Sequence, residues 1–442
     1  MPLAKALRVG PGDVVSFVGG GGKTTAMFRL AAELSADGFR VVSTTTTHIS
    51  QQQVRIAPVA ITLDEIGMLG ARLDEYGHCL LIGPPDGKGR VYGASRELVA
   101  SLHSRSDVDV VIVEADGSRS LPFKAPGRHE PVVPDSTTIL SPIAGMNCVG
   151  QPLDEDHVHR AELAAALAGQ RMGSEITPQT LSRVLSHAGG GARQLPRGAR
   201  LVPILNKADT DSTVRHALCA AENLLVESVV DTVAVSAMQQ NPPVRECWTR
   251  VAGIVLAAGK STRYGDTKQI LPWKGTTLAA HSARVAIESG LDPVIVVVGC
   301  QSEKVKKELE GLSVHLVNNP DFESGQSSSL RKGLEALPPS AGAAVFLLAD
   351  QPLITADIIQ KIVSAHRQLF APVCLPVFEG KRGNPVLFDK SLFSELLELR
   401  GDTGGREVIE RHQSRIATVP SGRSILLDID TPEDYRILNM ES

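Results

Sequence analysis

Aromatic residues are scarce in this chain: four tyrosines, two tryptophans and ten phenylalanines make up 4% of 442 residues. So little ring surface argues against a platform for stacking the bases of single-stranded nucleic acid. Neither sign of charge is in excess, and a formal net charge of −4 leaves no broad basic face for a polyanion. No C-x-x-C pair and no zinc spacing occurs among the six scattered cysteines, Cys79, Cys148, Cys219, Cys247, Cys300 and Cys374. That favours reduced thiols in a cytoplasmic protein over a disulfide framework. No apolar run reaches the roughly 18 residues of a membrane span, and the opening MPLAKALRVGPGD lacks the apolar stretch of a signal peptide. Neither nucleic acid nor a membrane is therefore an expected partner.

What is present is alternation. Short β-branched runs at Val14–Val18, Phe39–Ser43, Val108–Glu114, Thr138–Ser141, Leu201–Leu205 and Thr232–Val235 are separated by segments of helical period such as TTAMFRLAAELSADG. The second half repeats this at Gly253–Ala257, Pro293–Gly299, Val314–Asn318, Ala344–Ala349, Val373–Pro376 and Pro385–Phe388. Such runs predict mostly parallel sheets with helices on both faces, an α/β class. The polar, proline-bearing stretch QQNPPVRECWT separates the halves. The expected organisation is a domain over 1–240, a linker over 241–250 and a second domain over 251–442, with no evident internal repeat.

The sharpest chemical signal is GIVLAAGKSTRYGDTKQILPWKGTTLAAH, residues 253–281. A strand runs through Leu256, itself a nucleotide-binding candidate, into the small-residue loop Ala257-Ala258-Gly259, followed by Lys260, Ser261, Arg263, Gly265 and Lys268. Small residues let the backbone approach a ligand with its N–H groups, while Arg263 and Lys268 supply fixed charge where a triphosphate is attacked and pyrophosphate leaves. Asp350 ends the run AAVFLLAD and Asp430 ends ILLDID; two carboxylates at strand ends can hold Mg²⁺ against a triphosphate. Asp428 is the less favoured ligand, being set further back. No protein nucleophile is needed, because positioning and charge neutralisation carry such a transfer.

The N-terminal counterpart is FVGGGGKTT, residues 17–25, between a strand and a helix. A phosphate loop reads G-x-x-x-x-G-K-[ST], and the first glycine of that pattern is Phe17 here. In this reading Gly20, Gly21, Gly22 and Thr25 belong to the nucleotide-binding loop, Lys23 meets the β- and γ-phosphates, and Thr24 binds Mg²⁺. Downstream, Glu114 opens an E-x-x-G, Asn206, Lys207 and Asp209 form N-K-x-D, and Ser236-Ala237 follow about thirty residues later. An N-K-x-D aspartate accepts both N–H groups of guanine, which adenine lacks. The clusters TTTTH (Thr44–His48) and Lys124, His129 and Glu130 are further polar candidates for a nucleotide, a metal or an anionic cofactor, set against bland readings as a strand end and a surface pair.

The second half resembles the molybdenum cofactor cytidylyltransferase (MocA-type) family of the MobA-like nucleotidyltransferases, through LAAGKSTRYGDTKQILPW, GQSSSL, DQP, GNPVLF, GDTGGR and DIDTPEDY. The resemblance implies a Rossmann-like domain that moves CMP from CTP to molybdopterin carrying molybdenum. It places Ala257, Ala258, Gly259, Arg263 and Lys268 at the nucleotide and Asp350 and Asp430 on Mg²⁺. Ser327 and Ser328 would then lie near base and ribose, and Gly383 and Asn384 near the acceptor. Guanylyltransferase relatives carry glycine where this chain has Ala258; the added methyl narrows the pocket and favours a pyrimidine. The first half resembles the YqeC-type family, accessory proteins of selenium-dependent molybdenum hydroxylases, through VGGGGKTT, TTTTH, VEADGSRSLPFKAPGRHEPVVP and NKAD. That likeness implies a P-loop NTPase-like accessory domain binding GTP or ATP, with a molybdenum hydroxylase apoenzyme as a partner. The alternatives are a guanylyltransferase or another small-molecule phosphate nucleotidyltransferase, and a non-catalytic cofactor carrier or insertion chaperone.

Overall fold

The computed structural model describes residues 1–259 and 267–440. It divides into two compact units, Met1–Trp248 and Thr249–Ser442. The division falls inside the stretch 241–250, which is not irregular throughout: a strand spans Val244–Ala257.

In the N-terminal unit the buried apolar runs form one parallel sheet. Its order is Ala60–Thr62, His78–Ile82, Val41–Thr45, Val110–Glu114, Asp13–Gly19, Ile139–Gly145, Ile204–Asn206, Thr232–Ser236. The chain fills one side of Asp13–Gly19 first and then crosses to the other. The carboxyl ends of the central strands therefore splay around a topological switch point, where open α/β sheets place their ligands. Helices Lys23–Ala36 and Asp211–Val226 occupy two of the expected helical segments. The strands Ala60–Thr62 and His78–Ile82 were not among the sequence expectations. HCLLI is a short apolar run that period alone does not separate from buried helix.

The C-terminal unit has a mixed sheet ordered His315–Asn318, Val294–Val298, the 253–257 part of Val244–Ala257, Ala341–Leu348, Val386–Asp389, Val373–Phe378, Ile416–Pro420. The first four strands are parallel and Val386–Asp389 enters antiparallel, which the expectation of mostly parallel pairing accommodates. Ile416–Pro420 was not foreseen. Again the chain leaves the 253–257 strand in both directions, so the loop after Ala257 and the end of Ala341–Leu348 sit side by side at a switch point. Among the described residues, no helix is long and apolar enough to cross a membrane.

Candidate functional site

In the C-terminal unit, backbone pairing sets the geometry. Ala349 N–H donates to Leu256 O at 3.2 Å, which brings Asp350 beside the Ala258–Gly259 loop. Ile429 N–H donates to Asp350 O at 2.9 Å and carries Asp430 to the same place. Asp434 then accepts from the N–H groups of Asp430 and Thr431, capping the helix Pro432–Met440 and holding Asp430 still. Into this corner comes Lys268, 8% exposed. Its Nζ donates to Asp350 Oδ2 at 3.0 Å, to Asp430 Oδ1 at 3.0 Å and to Ile429 O at 2.6 Å. Burial alone would lower the Lys268 ammonium; the two facing carboxylates outweigh it and hold the group above its ordinary value. Burial pushes the Asp428 carboxyl up, and repulsion from Asp430 and Asp350 adds to it.

Lys268, Asp350 and Asp430 floor a cavity of about 670 Å³. Leu256, Ala258, Gly259, Lys268, Asp350 and Asp430 of the predicted set line it. Ala257 is fully buried behind the loop. Lys260, Ser261, Arg263 and Gly265 lie outside the described residues. Ser327 and Ser328 are placed differently from the expectation, at 1% and 2% exposure. The Ser328 hydroxyl donates to Gly325 O and accepts from Asn319, so it serves the packing of helix Gln326–Glu335; of the three serines in GQSSSL it is Ser329 that lines the cavity. The helix turns about 100° per residue, so a motif locates the turn but not the facing side chain. Gly383 and Asn384 do not line this cavity; a Cβ on Gly383 would lie 2.5 Å from Ile425 O, which accounts for the glycine.

Several wall residues carried no sequence assignment. Gln269 Nε2 donates to Gly259 O at 3.1 Å and pins the small-residue loop. Asp402 accepts from Gln326 N–H at 3.0 Å, joining GDTGGR to GQSSSL. Phe322 and Ser324 enter from a short 3₁₀ turn that no pattern marked.

The N-terminal unit gathers a second polar cluster at its switch point. Gly19, Gly21 and Gly22 hold φ values of 92°, 86° and 137°, and a Cβ on Gly21 would stand 2.4 Å from Gly145 N. Gly20 and Gly21 N–H donate to Ile143 O and Leu121 O, so these two donors are already engaged by the protein. Lys23, 4% exposed, donates to Gly19 O at 2.7 Å and lies 3.3 Å from Asp116 and 3.8 Å from Glu114. Thr24 Oγ donates to Glu114 Oε2 at 2.7 Å, and Thr25 is exposed on the same turn. Burial pushes the Glu114 carboxyl up, and Lys23 and Thr24 offset only part of that. Asn206 acts as a strut: Nδ2 donates to Gly21 O at 2.8 Å while Oδ1 accepts from Ser236 Oγ and Met238 N–H. Lys207 has φ 59° beside Gly145, and Asp209 is exposed near Gln240.

The other polar candidates divide. The hydroxyls of Thr44, Thr45 and Thr46 donate to the carbonyls of Leu81, Glu114 and Val132, so they tie strand ends together. Lys124 is buried and bonds Gly117 O, Asp116 and Glu130; Glu130 also accepts from Arg160 at 2.8 Å. Burial would raise the Glu130 carboxyl, but hydrogen bonds from Arg160 and Lys124 prevail and hold it at about 2. His129 stands exposed outside this network. Among the described residues no group of three or more metal-ligating side chains is assembled.

The YqeC protein family model matches residues 15–162, and the MobA-like NTP transferase domain matches residues 253–416. The uncharacterized protein YqeC of Escherichia coli (strain K12) is 31% identical over 233 residues, covering 52% of this chain and 90% of that protein. The chain joins a YqeC domain to a MobA-like NTP transferase domain. For the latter, the purine catabolism protein PucB of Bacillus subtilis (strain 168) is 34% identical over 195 residues, 41% of this chain and 93% of PucB. The molybdenum cofactor cytidylyltransferase of Escherichia coli (strain K12) is 28% identical over 184 residues, 41% of this chain and 92% of that enzyme. The C-terminal unit of this YqeC–MobA-like fusion is thus a nucleotidyltransferase domain.

Proposed function

We propose that the MobA-like domain transfers CMP from CTP to molybdopterin carrying molybdenum, with release of pyrophosphate, and that the YqeC domain is a GTP- or ATP-binding accessory. The observation that carries the transfer is Lys268 held between Asp350 and Asp430 on the floor of a cavity walled by Ala258 and Gly259. Hard carboxylate oxygens converging from the end of strand Ala341–Leu348 and from the loop before helix Pro432–Met440 fit Mg²⁺, which keeps most of its other ligands as water and substrate phosphate. Bound there, the ion would neutralise triphosphate charge. Lys268 would meet the phosphates from the side of the two acids, and the Ala258–Gly259 backbone would approach the nucleotide closely. The Ala258 methyl favours the smaller base.

Support for a phosphate loop in the YqeC domain is the convergence of Gly22, Lys23, Thr24, Glu114 and Asn206 at one switch point. The N-terminus of the 14-residue helix Lys23–Ala36 aims its unpaired N–H groups and its positive dipole end at that place. The test is to incubate the full chain with molybdenum-loaded molybdopterin, Mg²⁺ and each nucleoside triphosphate in turn. Pyrophosphate release with CTP and a CMP adduct by mass are expected; preference for GTP would refute the cytidylyl assignment.

A further inference from the structure

Gln53 belongs to none of the motifs, yet the fold sets it against Thr24. It sits on the short helix Gln51–Val54, carried by an antiparallel ribbon of His48–Ser50 and Arg90–Tyr92. Gln51 N–H donates to Gly89 O at 3.1 Å and fastens the helix to that ribbon. The Gln53 amide has no rotational choice. Its Oε1 accepts from Ser50 N–H at 3.1 Å and from Ser50 Oγ at 2.9 Å, while Gln53 N–H returns a bond to Ser50 Oγ at 3.2 Å. A backbone N–H can only donate, so the oxygen must face Ser50 and the NH₂ must face the other way. There Nε2 donates to Thr24 Oγ at 3.1 Å.

The orientation of the Thr24 hydroxyl follows. A hydroxyl has one proton and two acceptor sites. One acceptor site takes the Gln53 N–H, and the proton goes to Glu114 Oε2 at 2.7 Å. One lone pair remains, aimed by two fixed partners. A threonine hydroxyl next to a carboxylate at a helix start is a donor set that suits Mg²⁺. Free rotation of the hydroxyl would waste part of that affinity, and the pair of bonds removes the rotation in advance.

We propose that Gln53 is a positioning residue for the divalent cation of the YqeC-domain nucleotide site, acting through Thr24. This rests on the phosphate-loop reading above. The test uses the full chain, mant-GTP and mant-ATP as probes, and a Mg²⁺ titration of the bound nucleotide. Only signal that Lys23→Ala abolishes is counted, since the other domain also takes nucleotides. Gln53→Ala should raise the Mg²⁺ midpoint about three- to tenfold, the worth of one neutral hydrogen bond, while nucleotide affinity in EDTA stays unchanged. Ser50→Ala, which frees the amide but keeps it, should shift the midpoint the same way by less. In a Thr24→Val background Gln53→Ala should add nothing, because the effect passes through the hydroxyl. An unchanged midpoint in Gln53→Ala, an equal loss in EDTA, or a shift that persists without the Thr24 hydroxyl would each overturn the proposal. Gln53→Met, which keeps the side-chain volume, supplies the measurement if Gln53→Ala fails to fold. Nucleotide signal indifferent to Lys23→Ala would instead overturn the phosphate-loop reading, and this inference with it.

Discussion

Lys268 Nζ stands 3.0 Å from Asp350 Oδ2, and the same nitrogen reaches Asp430 at the same distance. One buried cation thus holds together an acid just past the strand Ala341–Leu348 and an acid that the sequence placed at a strand end but that lies on the loop before helix Pro432–Met440. The arrangement offsets the repulsion of two close carboxylates and, in the proposed transfer, would put positive charge beside the triphosphate.

Lys268→Ala should lower pyrophosphate release by roughly 10²–10³-fold, the usual cost of deleting one preorganised charge-stabilising donor. Folding should survive, since Ile429 N–H still binds Asp350 O and Asp434 still caps the next helix. Stopped assays for pyrophosphate together with a circular-dichroism melt separate the two effects. Full activity in this variant would remove Lys268 from the site.

Ala258→Gly should relax base choice toward guanine. A single methyl in a binding wall is worth about 1–3 kcal/mol of discrimination, so the CTP-to-GTP ratio of kcat/KM should drop by about tenfold or more. Parallel kinetics with the two nucleotides give the answer, and an unaltered ratio would mean that the base lies elsewhere.

Asn206 and Asp209 belong to one motif and should fail differently. Asn206→Ala removes a strut with three hydrogen bonds and should destabilise the N-terminal unit by about 1–3 kcal/mol, read in a denaturant melt. Asp209→Ala touches an exposed side chain; stability should be unchanged while affinity for mant-GTP falls and that for mant-ATP does not.

Glu130 makes the N-terminal unit sensitive to acid. Its carboxyl is held at about 2 against an ordinary 4.5, so the folded state binds the proton less readily than the unfolded state. The sign follows: its stabilisation is present above the unfolded value and is lost as pH falls through the folded one. Melting temperatures of wild type and Glu130→Gln should differ at pH 7 and converge between pH 4.5 and about 2. Curves that stay parallel through that window would contradict the Lys124–Glu130–Arg160 network.

Much of this molecule was legible before folding. Alternation of β-branched runs with helical segments specified parallel pairing, and the small residues Ala258–Gly259 just past a strand marked a loop that lies on a cavity wall. Strand ends also marked Asp350, Glu114 and Asn206, because local pattern shows where a strand stops. What pattern does not carry is which side chains meet. Lys268 is 82 residues from Asp350 and 162 from Asp430, and only the folded chain, through a 3₁₀ turn and a loop docked on the sheet, joins them. Ser329 displaces Ser327 and Ser328 at the wall through the rotation of one helix, which packing decides. Gln53 lies 29 residues from Thr24 on a helix of four residues, too short to announce itself. Local chemistry therefore determined the central strands and the longer helices, while the short elements, register, strand order and helix phase, which depend on contacts distant in the chain, decided the composition of each site.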